Sequence, residues 1–180
     1  MKKISETIYE ENIELNENVK LRETVRAVIL NEKDEVFMLY SKLYNDYTFP
    51  GGGIKPLEKH MEGLKRELKE EVGAVDIDVL SKLGYTEEIR YGINSSNNVY
   101  RQKSYYYLCN INEIGETNYV GHENEQGLEM RWVSIDEVID HNEKVNNLRD
   151  EELNKGFKTV LIRENAVLNY IKGNLWEDLK

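Results

Sequence analysis

The first half of the chain carries short runs of β-branched and aromatic residues separated by polar turns. Thr24 to Leu30 and Glu35 to Tyr40 flank the polar segment 31–34, and this pattern predicts a β-hairpin. Tyr47 to Phe49 is a third strand candidate, which Pro50 and the glycines after it end abruptly. Further strands are predicted in the second half of the chain, at residues 75–85, 88–93, 98–111 and 130–133.

Apolar residues at helical spacing mark three other segments. The first covers about residues 58–72, and the last covers 157–173 as a long amphipathic helix. Between them, a capping box of Ser134 and Glu137 predicts a short helix that continues to Ile139. Strands interleaved with helices in this order predict an α+β protein, in which a mixed β-sheet forms the centre of an α/β/α sandwich.

The predicted helix at 58–72 carries a core stripe and, beside it, a cluster of negative charge. The stripe consists of Met61, Leu64, Leu68 and Val72, and Gly73 provides the stop. Glu67, Glu70 and Glu71 share one face, because they stand at positions i, i+3 and i+4. Their charges repel one another unless a divalent cation lies among them. Oxygen ligands of this kind suit Mg²⁺ or Mn²⁺ rather than zinc.

The glycine triplet 51–53 before this helix permits two interpretations. It can adopt positive φ and bring the backbone close to phosphate oxygens, or it can form a tight turn between strand and helix. Arg66 leaves a similar choice. It could pair with Glu70 on the surface, or it could turn inward and orient Glu58 or a substrate phosphate.

Composition narrows the class of protein. The chain has 180 residues, enough for one domain with a sizeable core. Its formal charge of −10 argues against a broad surface for nucleic acid or anionic membrane. The single cysteine, Cys109, excludes an intrachain disulfide and fits a reducing compartment. Neither a membrane-spanning apolar run nor a signal peptide is visible, so we expect a cytoplasmic protein.

Taken together, the glycine triplet and the acidic helix resemble the signature of the Nudix family of diphosphate hydrolases. That signature is Gly-x5-Glu-x7-Arg-Glu-aliphatic-x-Glu-Glu-x-Gly-aliphatic, and the matching residues are Gly52, Glu58, Arg66, Glu67, Leu68, Glu70, Glu71 and Gly73. The resemblance implies a Nudix box at 52–74 inside a single Nudix-like domain at 23–180. Residues 1–22 are then expected to be an N-terminal extension that packs on the same domain.

The resemblance also implies a reaction and its metal ligands. We expect metal-dependent hydrolysis of a diphosphate bond in a nucleotide-type substrate, by attack of water at phosphorus. Glu58 and Arg66 would belong to the catalytic residues as the pair that shapes the site from behind the ligands. The implied ligands of Mg²⁺ or Mn²⁺ are Gly52, Glu67, Glu70 and Glu71.

Members of the family often recruit a further carboxylate from a loop outside the box, either as a metal ligand or as the general base. Glu125 is the first candidate for this role and Glu123 is the second. The sequence leaves the identity of the general base open between Glu70, Glu71 and Glu125.

Substrate contacts are expected around the glycines. Gly51, Gly52 and Gly53 are candidates for phosphate binding, and Arg26 and Tyr47 are candidates for further contacts. The ligand is expected to be a small molecule and not a nucleic-acid polymer. It could be a nucleoside triphosphate, a dinucleoside polyphosphate or a nucleotide sugar. A homodimer is possible for this family.

Two other functions fit the same fold. One is a nucleotide-sensing or regulatory domain that binds without turnover, and the intact acidic box argues against it. The other is a metal-dependent isomerase of a prenyl diphosphate, for which no cysteine lies near the box. Identification of the reaction products distinguishes these functions from hydrolysis.

Overall fold

The computed structural model describes residues 1–15, 19–92, 96–115, 127–149 and 156–174. The strands in these ranges are β1 (Ile8–Tyr9), β2 (Lys20–Val28), β3 (Glu35–Ser41), β4 (Asp46–Thr48), β5 (Gly51–Gly53), β6 (Ala74–Gly92), β7 (Ser96–Ile114) and β8 (Leu128–Ser134). The helices are α1 (His60–Val72), α2 (Ile135–Leu148) and α3 (Lys158–Asn174).

The strands of the described residues form two sheets. The larger one has the order β1-β6-β7-β2-β5 and is mixed, because β2 runs parallel to β7 and antiparallel to β5. The smaller one has the order β4-β3-β8 and is antiparallel. The predicted α+β class with a mixed sheet is confirmed, although the strands are divided between two sheets.

The prediction that the first two long strands, β2 and β3, pair as a hairpin is wrong. The turn at 31–34 does reverse the chain, and Phe37 donates a backbone hydrogen bond to the carbonyl of Ile29 at 2.9 Å. Beyond a single bridge between Leu30 and Val36, however, β2 and β3 belong to different sheets. Each strand finds longer partners elsewhere, so tertiary pairing prevails over the local turn.

The strands predicted at 75–85 and 88–93 are one continuous strand, β6. It pairs antiparallel with β7 along nearly its whole length, with register shifts such as the one between Val79 and Ser81. Bulges of this kind bend a strand without ending it. Thr86 and Glu87, which lay between the two predicted strands, pair in register with Ser104 and Lys103, so the strand continues through them.

Helix α1 forms as its apolar spacing predicts. Leu64, Leu68 and Val72 have no exposed surface and pack on Val25 and Ala27 of β2. Burial of each such side chain contributes about 1.5–3 kcal/mol. The helix stop is also confirmed, since the residue after Val72 is a glycine in the left-handed conformation.

The other two helices cover the opposite side of the sheets. Ser134 caps α2 by accepting a hydrogen bond from the Glu137 N–H, as predicted, but the helix continues to Leu148 instead of ending near residue 139. Val167 and Leu168 of α3 are fully buried in the core on this side. Helices therefore lie on both sides of the strands, and the predicted α/β/α sandwich is confirmed.

The N-terminal residues contact both the larger sheet and the start of α3. β1 pairs with β6, and the carboxylate of Glu10 accepts hydrogen bonds from the N–H groups of Tyr91 and Gly156, at 2.6 and 2.5 Å. None of the helices in the described part of the chain combines the length and the apolar character required to cross a membrane.

Candidate active site

The site is built around β5, which consists of glycines alone at the edge of the larger sheet. Gly51 has a φ of 127°, and a Cβ atom added there would lie 2.1 Å from the carbonyl oxygen of Val25. A Cβ atom at Gly52 would lie 2.4 Å from a carboxylate oxygen of Glu67. A side chain is therefore excluded at Gly51 by the backbone, and at Gly52 it would displace the Glu67 carboxylate, so the carboxylates of α1 approach the bare backbone of β5.

Two of the predicted metal ligands lie buried against this backbone. Glu67 is 7% exposed and Glu71 is 8% exposed. The Gly51 N–H donates a 2.6 Å hydrogen bond to Glu71. The carboxylates occupy the sector beside the apolar stripe, so the packing of α1 on the sheet brings them to the glycines.

Arg66 connects the acidic residues of the box. Its guanidinium group holds both carboxylate oxygens of Glu58, at 2.8 and 2.9 Å, and donates to the Gly53 carbonyl at 2.9 Å. Its Nη1 atom lies 2.7 Å from Glu67 and 3.3 Å from Glu70. Arg66 therefore turns inward and orients Glu58, which was one of the two predicted arrangements. It also contacts Glu70 at i+4, which was the other.

These contacts strongly favour the charged forms of Glu58 and Arg66. Hydrogen bonds from Arg66 and from the Lys55 N–H lower the pKa of Glu58 to about 2. In return, the hydrogen bond with Glu58, followed by that with Glu67, raises the pKa of Arg66 above its ordinary value. The box is thus held by an ion pair that persists across the physiological pH range.

The chemistry of the donors fits a hard divalent cation. Among the described residues, no group of three His, Cys, Asp or Glu side chains converges closely enough to hold a metal ion. The Arg66 guanidinium, itself a cation, lies between Glu67 and Glu70. A shared metal thus requires these carboxylates to turn from Arg66 toward a common point. Carboxylate and carbonyl oxygens are the ligands that Mg²⁺ and Mn²⁺ prefer.

A cleft of about 380 Å³ opens on the other side of β5. Because β5 has no side chains, Glu67 and Glu71 reach this cleft past its backbone. The opposite wall is formed by β2, β6, β7 and α3. It carries four arginines and two neutral polar side chains, namely Arg22, Arg26, Arg90, Arg163, Thr24 and Gln102.

Behind this wall lies a fully buried charge network. The Arg163 guanidinium binds Glu88 at 2.8 Å and also binds its sequence neighbour Glu164. Burial alone would raise the pKa of Glu88, but the positive charges of Arg163 and Arg90 outweigh burial and lower it. Glu164 in turn accepts a 3.1 Å hydrogen bond from the Phe49 N–H. Helix α3 thereby fixes the segment that leads into the glycines.

The structure brings together only part of the predicted site. Arg26, the three glycines 51–53, Glu67 and Glu71 line the cleft. Glu58 and Glu70 lie instead with Arg66, on the α1 side of the glycines. Glu125 and its alternative Glu123 fall outside the described residues.

The structure places Tyr47 in the core instead of the cleft. It is only 5% exposed, its backbone is held at both ends by Asn142, and its hydroxyl accepts from Arg131 at 3.1 Å. Its strand neighbours Asp46 and Thr48 do line the cleft. Side chains alternate along a strand, and Tyr47 points to the face opposite Asp46 and Thr48. Its position therefore gives no support to a substrate contact, which stays a prediction.

Sequence reasoning missed Arg22, Gln102 and Arg163. One signal was available on β2, where Arg22, Thr24 and Arg26 alternate with residues that are apolar except for Glu23. This alternation indicates a polar sheet face. Nothing local indicated that this face looks into the cleft.

Comparison with known proteins agrees with this geometry. The family model for the NUDIX domain matches residues 20–155. An RNA pyrophosphohydrolase of a Sulfurovum species is 32% identical over 128 residues, which cover 66% of this chain and 80% of that protein. An RNA pyrophosphohydrolase of Francisella philomiragia is 35% identical over 75 residues, covering 42% of this chain and 48% of that protein.

Among solved structures, a MutT protein of Methanosarcina mazei has a similar fold. The TM-score is 0.52 at 18% identity, and the match covers 89% of this chain and 99% of that one. The extent of the family match and the identity to the Sulfurovum relative confirm the predicted family and enzyme class. The chain belongs to the Nudix family and is a Nudix-type hydrolase of phosphoric anhydride bonds.

Proposed function

We propose that this enzyme hydrolyses a diphosphate bond in a nucleotide-type substrate and that the reaction depends on Mg²⁺, with Mn²⁺ as an alternative. One observation carries the proposal. Glu67 and Glu71 reach the cleft past a strand of glycines, and arginines line the opposite wall. A diphosphate group needs both features, because its oxygens bind to cations and its hydrolysis needs an activated water.

Glu67, Glu70, Glu71 and the Gly52 carbonyl would hold the cation. When bound, a divalent cation neutralises phosphate charge and lowers the pKa of a coordinated water. The chain's own residues prepare the site for it. Arg66 contacts Glu67 and Glu70 and donates to the Gly53 carbonyl, so without a cation it holds these two carboxylates beside β5.

The general base stays open between Glu70, Glu71 and Glu125. Of the two described residues, Glu71 lines the cleft and Glu70 contacts Arg66. Glutamine variants of all three, measured across a range of pH, would distinguish a base from a metal ligand. Loss of the base removes the acidic limb of the pH–rate profile, whereas loss of a ligand raises the metal concentration that the reaction needs.

The curated relatives favour a second candidate substrate, an RNA. A phosphoric anhydride bond occurs in RNA only at a 5′ end that bears more than one phosphate. The net charge of −10 opposes extensive contact with a nucleic-acid chain. We therefore keep small nucleotides as the leading substrates, and we include RNA with a 5′-triphosphate in the test.

The test is incubation of the purified protein with Mg²⁺ and a panel of substrates, followed by identification of the products. The panel contains nucleoside triphosphates, dinucleoside polyphosphates, nucleotide sugars and the RNA. Glu70→Gln should lower kcat/KM by about a hundredfold or more. Glu62→Gln is the matched control, because Glu62 lies on the same helix and its cap hydrogen bond to the Lys59 N–H can be kept by glutamine.

Each alternative function predicts a different result. A sensor domain binds a nucleotide tightly and releases no product. A prenyl diphosphate isomerase converts its substrate without releasing phosphate. Equal activity of Glu70→Gln and Glu62→Gln would contradict the role assigned to the acidic box.

A cytoplasmic location, a homodimer and the division at residue 23 between an N-terminal extension and the domain all stay predictions. Gel filtration tests the homodimer. Removal of residues 1–22 tests the extension, and we expect the truncated protein to be less stable because Glu10 accepts two backbone hydrogen bonds.

A further inference from the structure

One wall of the cleft carries more positive charge than its surroundings neutralise. The whole chain has a formal charge of −10, so a cluster of arginines is unexpected. Arg22, Arg26, Arg90 and Arg163 nevertheless line the same cavity of about 380 Å³. The pairing of each arginine determines whether this cluster serves the fold or a ligand.

Arg163 serves the fold. It is 1% exposed and binds two buried carboxylates, those of Glu88 and Glu164. Two negative charges more than balance one guanidinium group. Arg163 therefore has no charge left over for a ligand.

Among the described residues, the other three arginines have only neutral hydrogen-bond partners or none, although the charge of Glu88 also acts on Arg90. Arg26 donates to the carbonyl of Phe49 at 2.8 Å. Arg90 donates to the Tyr91 carbonyl at 2.9 Å and to the Gln102 side chain at 2.7 Å. Within the described residues, no carboxylate forms an ion pair with Arg22, Arg26 or Arg90.

Strand register brings these arginines to the glycine strand. Arg22 and Arg26 are four residues apart on the same face of β2, a span of about 13 Å. Arg26 is paired with Gly51 in the antiparallel register, and a Cβ atom at Gly53 would lie 3.5 Å from Arg22 Nη2. The positive wall and the α1 carboxylates therefore meet along β5.

The local field agrees with an excess of positive charge. Loss of hydration in the cleft, followed by repulsion from Arg26 and Arg163, lowers the pKa of Arg22. Burial lowers the pKa of Arg90; Glu88 opposes this effect, whereas Arg163 and Arg22 reinforce it. Guanidinium groups stay charged at neutral pH, so binding of an anion would relieve the remaining repulsion.

We propose that Arg22, Arg26 and Arg90 form a second phosphate subsite, across the glycine strand from the α1 carboxylates. The enzyme then selects substrates with a further phosphate beyond the two joined by the hydrolysed bond. This selectivity rests on the proposed function. The planar guanidinium fork matches phosphate oxygens, which supports phosphate as the ligand class.

The subsite separates the candidate substrates into two groups. Nucleoside triphosphates, dinucleoside polyphosphates and RNA with a 5′-triphosphate supply a further phosphate. Nucleotide sugars with two phosphates do not supply one. We therefore expect the enzyme to hydrolyse substrates of the first group more efficiently than those of the second.

The direct test is calorimetric binding of inorganic tripolyphosphate to the full-length protein, in the presence of a chelator that removes divalent cations. Arg22→Gln and Arg26→Gln should each weaken binding by about tenfold, and Arg22→Lys should restore part of the loss. Arg101→Gln is the matched control, because it removes the same charge from the opposite face of the sheet, where Arg101 pairs with Glu87.

Arg22 lines the cleft and loses part of its hydration there, but the residue as a whole keeps an exposed surface. Arg22→Gln should therefore fold, and it decides the test even if Arg26→Gln does not fold. The proposal is overturned if the wild type does not bind tripolyphosphate, or if Arg101→Gln weakens binding as much as Arg22→Gln does. This measurement needs no turnover. Failure of the subsite is therefore distinguishable from failure of the proposed hydrolysis.

A kinetic measurement tests the selectivity itself. The ratio of kcat/KM for ATP to kcat/KM for UDP-glucose should fall by about tenfold in Arg22→Gln and stay constant in Arg101→Gln. An unchanged ratio in Arg22→Gln would overturn the selectivity while leaving hydrolysis intact.

Discussion

Arg66 and Arg163 both bind several carboxylates, yet they do so in opposite environments. The side chain of Arg66 is 19% exposed, and its carboxylate partners lie within eight residues of it in sequence. The side chain of Arg163 is 2% exposed, and its partner Glu88 is 75 residues away. Only the Arg163 network has lost its hydration completely. We infer that the network of Arg66 serves the reaction and that the network of Arg163 serves the fold.

The largest expected effect follows from Arg163→Met. The substitution leaves Glu88 and Glu164 buried without a cation, so we expect the free energy of unfolding to fall by about 3–5 kcal/mol. For a protein of this size, that corresponds to a decrease in Tm of about 6–20 °C. Urea and thermal unfolding measure it. A loss below about 1 kcal/mol would contradict the structural role of this network.

Gly52→Ala should damage activity without a comparable loss of stability. The new methyl group would lie 2.4–2.7 Å from the carboxylate of Glu67, which can move only by leaving its place beside Arg66. We expect kcat/KM to fall by about a hundredfold. Gly173→Ala, where nothing lies within 4 Å of the added atom, is the control. Retained activity in Gly52→Ala would exclude Glu67 from the site.

Arg66→Met should reduce activity more than stability, in contrast to Arg163→Met. The loss of stability should be about 1–2 kcal/mol, because water reaches part of this ion pair and compensates for some of its loss. Hydrolysis should fall by about 10- to 100-fold, since supporting residues of metal sites typically have effects of this size. If Arg66→Met instead destabilises the protein as much as Arg163→Met, the distinction between the two networks fails.

The smallest expected effect is a shift in the titration of Glu58. Its pKa of about 2 lies below the ordinary value of 4.5, so the pair with Arg66 contributes stability that is complete above pH 4.5. That contribution is lost as the pH falls through about 2. The carboxyl carbon of Glu58, followed by NMR, should titrate near pH 2 in the wild type and near its ordinary value in Arg66→Met. A wild-type midpoint near 4.5 would show that the pair is open in solution.

Features of the fold that depend on residues close in sequence were predictable. The stripe of Leu64, Leu68 and Val72, the glycine stop after it and the Ser134 cap each depend on residues within two helical turns. All were confirmed. The end of α2 was placed too early, because residues beyond 139 make contacts with distant parts of the chain, such as those of Asn142 with the backbone of Tyr47.

Strand pairing was less predictable, since it depends on partners from distant parts of the sequence. The turn at 31–34 indicated a hairpin, but β2 forms its long ladder with β7, about 80 residues away. The burial of Tyr47 in the core was not predictable for a related reason. Alternation along a strand tells which residues share a face, and only the second sheet determines which face is the core.

The sequence by itself determined the acidic helix, its buried stripe and the glycines before it, because the spacing of these residues acts within one element and its adjoining turn. The tertiary structure alone decided that Arg22, Arg90 and Arg163 share a cleft with Glu67 and Glu71. These residues come from β2, β6, α1 and α3, so only strand register and helix docking bring their charges together. The electrostatic character of a cleft built in this way follows from the assembled fold and not from any single segment.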